Sequence, residues 1–171
     1  MSSSHVFVSE SVTAGHPDKL CDRISDAIVD RFLAQDPLAR VDAECAVAGG
    51  IVFLATRFAA RMAPDLVEIA RRVIEQSGYN GPEFNARDCT VMTAMHEAEN
   101  ARRAGADETE LSDKALGKLV PQNQVTVFGF ACRHTASLMP LPIHLSHKLM
   151  RQLDQARADA RMPYLHPDGK V

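Results

Sequence analysis

The chain has 171 residues, enough for one domain, or one domain and a short part of a second, with a core that needs no disulfide or metal staple. Nineteen basic and 22 acidic residues leave a net charge of −3, and the basic ones are dispersed, so no block of them marks a nucleic-acid footprint. No apolar run approaches the roughly 18 residues that cross a bilayer, and the N-terminus lacks the charged-then-apolar order of a signal peptide; the expectation is a cytoplasmic protein with neither membrane nor nucleic acid as partner.

In chain order, His5–Val8 reads as a short strand that runs into an acidic, glycine-containing turn. Leu20, Ile24, Ala27, Ile28 and Phe32 recur at helical spacing and predict a helix from about Asp18 to Gln35, ended by Asp36-Pro37. Val41–Val47 and Ile51–Phe58 read as strands joined by a Gly49-Gly50 hairpin. Pro64 suits the first turn of a helix running to about Gln76, with Leu66, Val67, Ala70, Val73 and Ile74 as its apolar stripe and Ile69 at the margin. Cys89–Met95 reads as a strand. Residues 96–113, charged and alanine-rich, are compatible with either a helix or a loop. Gln124–Ala131 reads as a further strand, and Pro140 precedes a helix to about Asp159. The stretch after it is irregular. Four or five strands interleaved with three helices predict an α/β protein, a layered sandwich of helices on a mixed β-sheet. Cys21, Cys45, Cys89 and Cys132 have no metal-ligand spacing and read as buried free thiols.

The chemistry concentrates in Glu10-Ser11-Val12-Thr13-Ala14-Gly15-His16-Pro17-Asp18-Lys19. Two carboxylates, an imidazole and an ammonium share ten residues with small side chains that let the backbone turn, ahead of a helix whose dipole favours Asp18 in its first turn. Such groups suit a triphosphate with a divalent cation. On the residues alone, His16 and Asp18 remain open between a structural and a functional role.

Ser9-Glu10-Ser11-Val12 and Gly15-His16-Pro17-Asp18-Lys19 resemble the start of the S-adenosylmethionine synthetases, or methionine adenosyltransferases. The likeness continues in register through Ile24-Ser25-Asp26-Ala27, Gln35-Asp36-Pro37, Glu44, Gly78-Tyr79, Phe128-Gly129, Met139-Pro140, His147-Lys148-Leu149 and Pro167-Asp168-Gly169-Lys170. It implies the fold of that family, and an activity in which methionine sulfur attacks C5′ of ATP, expels tripolyphosphate and leaves the enzyme to hydrolyse it to phosphate and pyrophosphate. It also implies Mg²⁺, activation by K⁺, and sites at the interface of a dimer. Carried over position by position, His16 donates to the phosphate oxygen next to C5′, Asp18 holds Mg²⁺, Lys170 adds positive charge, Glu44 is the K⁺ ligand and Glu10 a carboxylate near nucleotide and metal. Asn123 falls at a nucleotide- or methionine-contacting position.

The chain departs from the family pattern in four places. Family members are much longer, and lysines and a second metal-binding aspartate lie beyond the point matched by Lys170. Arg57 stands where the family has a glutamate that meets the methionine ammonium. Asn123, in Val120-Pro121-Gln122-Asn123-Gln124-Val125, replaces an aspartate in a glycine-rich segment, and Ala98 replaces a glutamine in a mobile gate. The phosphate side is kept while the methionine side is altered. The expectation is a subunit or fragment that acts with a complementary chain, or self-associates; the alternatives are a non-catalytic nucleotide-binding or scaffold homologue, or an ATP-using enzyme with a different substrate, such as an acid for Arg57.

Overall fold

The computed structural model describes residues 5–98, 111–118 and 124–171. The chain forms two compact units, one of residues 20–125 and one of residues 1–19 with 126–171.

The larger unit is a mixed β-sheet with helices on its core face. Strands β1 (Arg40–Ala48) and β2 (Ile51–Ala59) pair antiparallel, with Ala48 opposite Ile51, so a two-residue turn joins them. Gly49 takes φ +57° there, a left-handed conformation that glycine adopts without steric cost. Strand β3 (Thr90–Glu97) pairs parallel to β2, Ile51 opposite Thr90, and this direction demands the long crossover that carries helix α2 (Leu66–Gln76). Strand order is β1-β2-β3.

Period-two alternation along β2 sends Val52, Leu54, Thr56 and Phe58 into the core and Ile51, Phe53, Ala55 and Arg57 to the open face. Helix α1 (Pro17–Gln35) buries Leu20, Ile24, Ile28 and Phe32, one every fourth residue. The Phe32 and Phe58 rings meet at 5.1 Å between centroids, so helix and sheet lock through an aromatic contact. At the end of α1, buried Asp36 accepts from the amides of Leu38 and Arg61, satisfying its carboxylate and tying the helix end to the residues after β2.

Some expectations shift. Helix α2 starts at Leu66, capped by the Asp65 carboxylate accepting from the Glu68 amide at 3.0 Å, so Pro64 precedes the cap instead of lying in the first turn. Its buried stripe is Leu66, Ile69, Ala70, Val73 and Ile74; Ile69 belongs to it and Val67 is marginal, as steps of three and four require. The segments His5–Val8 and Gln124–Ala131, read as strands, are not strands. Neither belongs to a sheet among the described residues, and a strand is defined by its place in a sheet. Their large apolar side chains, Val6, Phe7, Val8, Val125, Val127, Phe128 and Phe130, are 77–90 % exposed. The sheet therefore has three strands among the described residues, not four or five. Of the ambiguous stretch 96–113, β3 claims the first two residues and Asp113 opens the short helix α3 (Asp113–Leu116). Residues 99–110 lie outside the described set.

In the smaller unit, helix α4 (Leu141–Ala158) follows Pro140 as expected and buries Ser146, Met150 and Ala156. Leu141, Leu145 and Leu149 form an exposed apolar stripe at four-residue steps. The C-terminal stretch is mostly turns, but its last three residues pair with residues 11–13: the Ser11 and Val171 amides each donate to the other's carbonyl at 2.9 Å, and Val12 and Lys170 form an antiparallel bridge.

Phe32 is fully buried at the helix–sheet contact, so Phe32→Ala should destabilise the larger unit by about 3–5 kcal/mol. Urea denaturation followed by circular dichroism reads this as a lowered midpoint.

Candidate functional site

The charged turn singled out in the sequence and the Pro167–Lys170 segment come together in the smaller unit. The Thr13 carbonyl accepts from the His16 amide at 3.1 Å, closing a four-residue turn. Its hydroxyl, in a residue only 5 % exposed, donates to the Pro167 carbonyl at 2.5 Å and accepts from the Gly169 amide at 2.8 Å. Its own amide donates to the Gly169 carbonyl at 2.9 Å. Gly15 is required at its position, because a Cβ there would stand 2.6 Å from both Cβ and O of Pro167.

This framework brings four of the expected residues together. His16 Nδ1 accepts from the Asp18 amide at 3.3 Å at the start of α1, which leaves the imidazole proton on Nε2. Nε2 faces the Asp168 carboxylate at 4.0 Å, and the Asp18 carboxylate lies 3.8 Å from Nδ1. Lys170 Nζ pairs with Glu10 at 2.9 Å. Both members are more than half exposed, so water and salt screen the pair and its energetic worth is small; the ammonium is available to a stronger anion. His16 is the best-shielded member of the set, its side chain 23 % exposed. Among the described residues no three His, Cys, Asp or Glu side chains form a metal cage. Magnesium keeps several waters and is commonly held by one or two carboxylates plus substrate phosphates, so solvent-facing Asp18, with Asp168 near by, fits a cation carried in on phosphate.

Glu44 belongs to the larger unit, on the open sheet face. There Asp42, Glu44, Ala55, Arg57, Ala94 and His96 line an open depression of about 320 Å³. Arg57 stands directly opposite Asp42 on β1 and His96 on β3, while Ala55 and Ala94 leave room between the charged rows. Asp42 and His96 were not singled out in the sequence; both fall in register with Arg57, a relation that strand pairing reveals. A guanidinium opposite Asp42 weakens the field that would hold a cation at Glu44. Ala98 is half-buried, its amide donating to the Phe58 carbonyl at 2.8 Å just beyond the end of β3. Asn123 lies outside the described residues.

All four cysteines are free, but only Cys89 is fully buried, which corrects the uniform reading of buried thiols. Cys45 on β1 lies against Cys21 on α1. Burial and then the neighbouring Cys21 sulfur push the Cys45 thiol up from 9.0 to about 12. A raised folded-state value stabilises the fold below about pH 9, where the unfolded thiol is still protonated, and that stabilisation is lost as the pH climbs towards 12. Accordingly, iodoacetamide below about pH 9 should leave Cys45 unlabelled in the folded chain and label it in denaturant, as peptide mass mapping would read.

The sequence matches the family described as S-adenosylmethionine synthetase, N-terminal domain, over residues 4–100, and S-adenosylmethionine synthetase, central domain, over residues 118–171. It is 44 % identical to an S-adenosylmethionine synthase of Trichodesmium erythraeum (strain IMS101), an alignment covering 99 % of this chain and 42 % of that protein. It is 40 % identical to one of Gloeothece citriformis (strain PCC 7424), over 100 % of this chain and 43 % of the relative. A third, from Prochlorococcus marinus (strain MIT 9313), is 42 % identical over 99 % of this chain and 41 % of its own length. The chain thus spans about two fifths of the length of these relatives.

Proposed function

Since the chain belongs to the S-adenosylmethionine synthetase family, we propose that it is a methionine adenosyltransferase-like subunit or fragment. With a complementary polypeptide it would make S-adenosylmethionine from ATP and methionine in the cytoplasm. The observation that carries this reading is the joining of Glu10, His16 and Asp18 to Lys170 across the 11–13/169–171 pairing. In the reaction a methionine sulfur lone pair forms the S–C5′ bond as the C5′–O bond breaks, and the electron pair leaves on tripolyphosphate. Water then cleaves that product to phosphate and pyrophosphate.

The sulfur needs no general base, so the protein's task is to hold the ends in line and to stabilise charge growing on the leaving oxygen. His16 Nε2–H is the donor suited to that oxygen. Lys170 exchanges Glu10 for a phosphate oxygen. Asp18 would hold Mg²⁺ with the phosphates, Glu10 would lie near nucleotide and metal, and Mg²⁺ when bound would neutralise phosphate charge. Glu44 would be the K⁺ contact, and Asn123 a contact to nucleotide or methionine. One histidine with one or two lysines neutralises a polyanion poorly, which is the charge argument for a partner supplying further cations. The exposed apolar segments at 5–8 and 124–130 and the α4 stripe support association, with that partner or with a second copy.

A second reading is favoured by Arg57. It makes no ion pair among the described residues despite Asp42 opposite, and a guanidinium there would repel a methionine ammonium and attract a carboxylate. An ATP-using enzyme acting on an acid is that alternative; a nucleotide-binding scaffold is the non-catalytic one.

The test mixes the purified chain with a polypeptide carrying the remaining part of a relative and follows S-adenosylmethionine by chromatography. Product is expected from the mixture alone, with His16→Asn lowering its rate about 10²-fold or more. Product from the chain by itself would overturn the need for a partner, and no binding of MgATP in either state would overturn the nucleotide reading.

A further inference from the structure

We propose that Thr13 is a positioning residue: its buried hydroxyl sets the spacing between His16 and Lys170 at which an inorganic or nucleoside polyphosphate is gripped. The inference rests on the phosphate-binding reading of that site.

The groups that would meet the ligand do not hold themselves in place. The Lys170–Glu10 pair is solvent-exposed, and His16 stands 3.8 and 4.0 Å from its carboxylate neighbours, beyond hydrogen-bond length. Beside the Ser11–Val171 backbone pair that flanks Lys170, the residue that ties both of their backbones together is Thr13. Thr13 is three positions before His16 and closes the turn that carries it. The same residue makes bonds to Pro167 and Gly169 on both sides of Asp168, one residue short of Lys170. The Thr13 hydroxyl donates to the buried Pro167 carbonyl and accepts from the part-buried Gly169 amide, so a slip between the two segments would break both bonds.

Two close approaches make the arrangement stiff. A Cβ on Gly15 would strike Pro167, and a Cβ on Gly169 would stand 2.9 Å from Cγ2 of Thr13. Asp168 faces His16, and the Lys170 ammonium can leave Glu10 for a phosphate oxygen without its backbone moving. Ligand binding then costs the ordering of one lysine side chain and not of two chain segments.

The experiment uses the full chain, alone and with the complementary polypeptide, and probes it with inorganic tripolyphosphate and MgCl₂ by calorimetry. Thr13→Val keeps the shape and removes the hydroxyl; Thr13→Ser keeps the hydroxyl. Thr13→Ala stands in should the valine variant not fold. Amide hydrogen exchange at Gly169 and Val171 is followed in parallel. Thr13→Val should weaken tripolyphosphate binding by about tenfold or more and speed exchange at both amides, while Thr13→Ser restores both to within about twofold. A valine variant that binds as tightly as the parent, or a serine variant that fails to restore binding, overturns the proposal. Failure of the parent itself to bind tripolyphosphate in either state would sink the phosphate reading instead. The clamp is then judged by exchange alone, and unchanged exchange in Thr13→Val sinks it too.

Discussion

The candidate site depends on a contact between residues more than 150 positions apart: the Thr13 hydroxyl bonded to Pro167 and Gly169 inside a short antiparallel pairing of residues 11–13 with 169–171. The charged side chains around it are mostly exposed, and in water such groups attract one another weakly. Their common location comes from backbone and hydroxyl bonds, of which the Thr13–Pro167 bond is buried and the Gly169 bond part-buried, and these lose their worth if the geometry changes. Gly15 and Gly169 belong to the same constraint, since each allows the opposite strand closer than a side chain would.

The larger unit obeys a different rule. It is held by a single-sided core: α1 and α2 supply apolar stripes, and alternate residues of β2 supply the facing surface. That leaves the other sheet face open, with Asp42, Glu44, Arg57 and His96 around two alanines. The same alternation that builds the core therefore sets which charges share the open face. It also explains why the arginine that departs from the family pattern takes no part in the core: it alternates to the exposed face of β2.

Much of the fold was legible. The helix periods and strand alternation are local patterns, and the observed strand bounds lie within two residues of the predicted ones. The Gly49-Gly50 turn announces itself because few other residues accept the backbone it requires. The misread segments 5–8 and 124–131 are instructive for the opposite reason. Their apolar side chains are those a strand uses, but a strand also needs a neighbour, and composition cannot supply one. Of the site, His16, Asp18 and Glu10 stood out from density of charge, and Lys170 from family likeness. Thr13, Asp42 and His96 did not. A lone threonine between small residues carries no signal, and register is invisible without the sheet.

The sequence by itself therefore determined the family, the two helices and three strands of the larger unit, and the charged turn, because each is written in neighbouring residues or in motif order. Only the tertiary structure decided that Lys170 joins that turn, that Thr13 bonds to the segment before it, and that Glu44 and Arg57 share the open sheet face of the larger unit. Those are relations between distant segments, set by hydrogen bonds and close packing that form when the chain has folded.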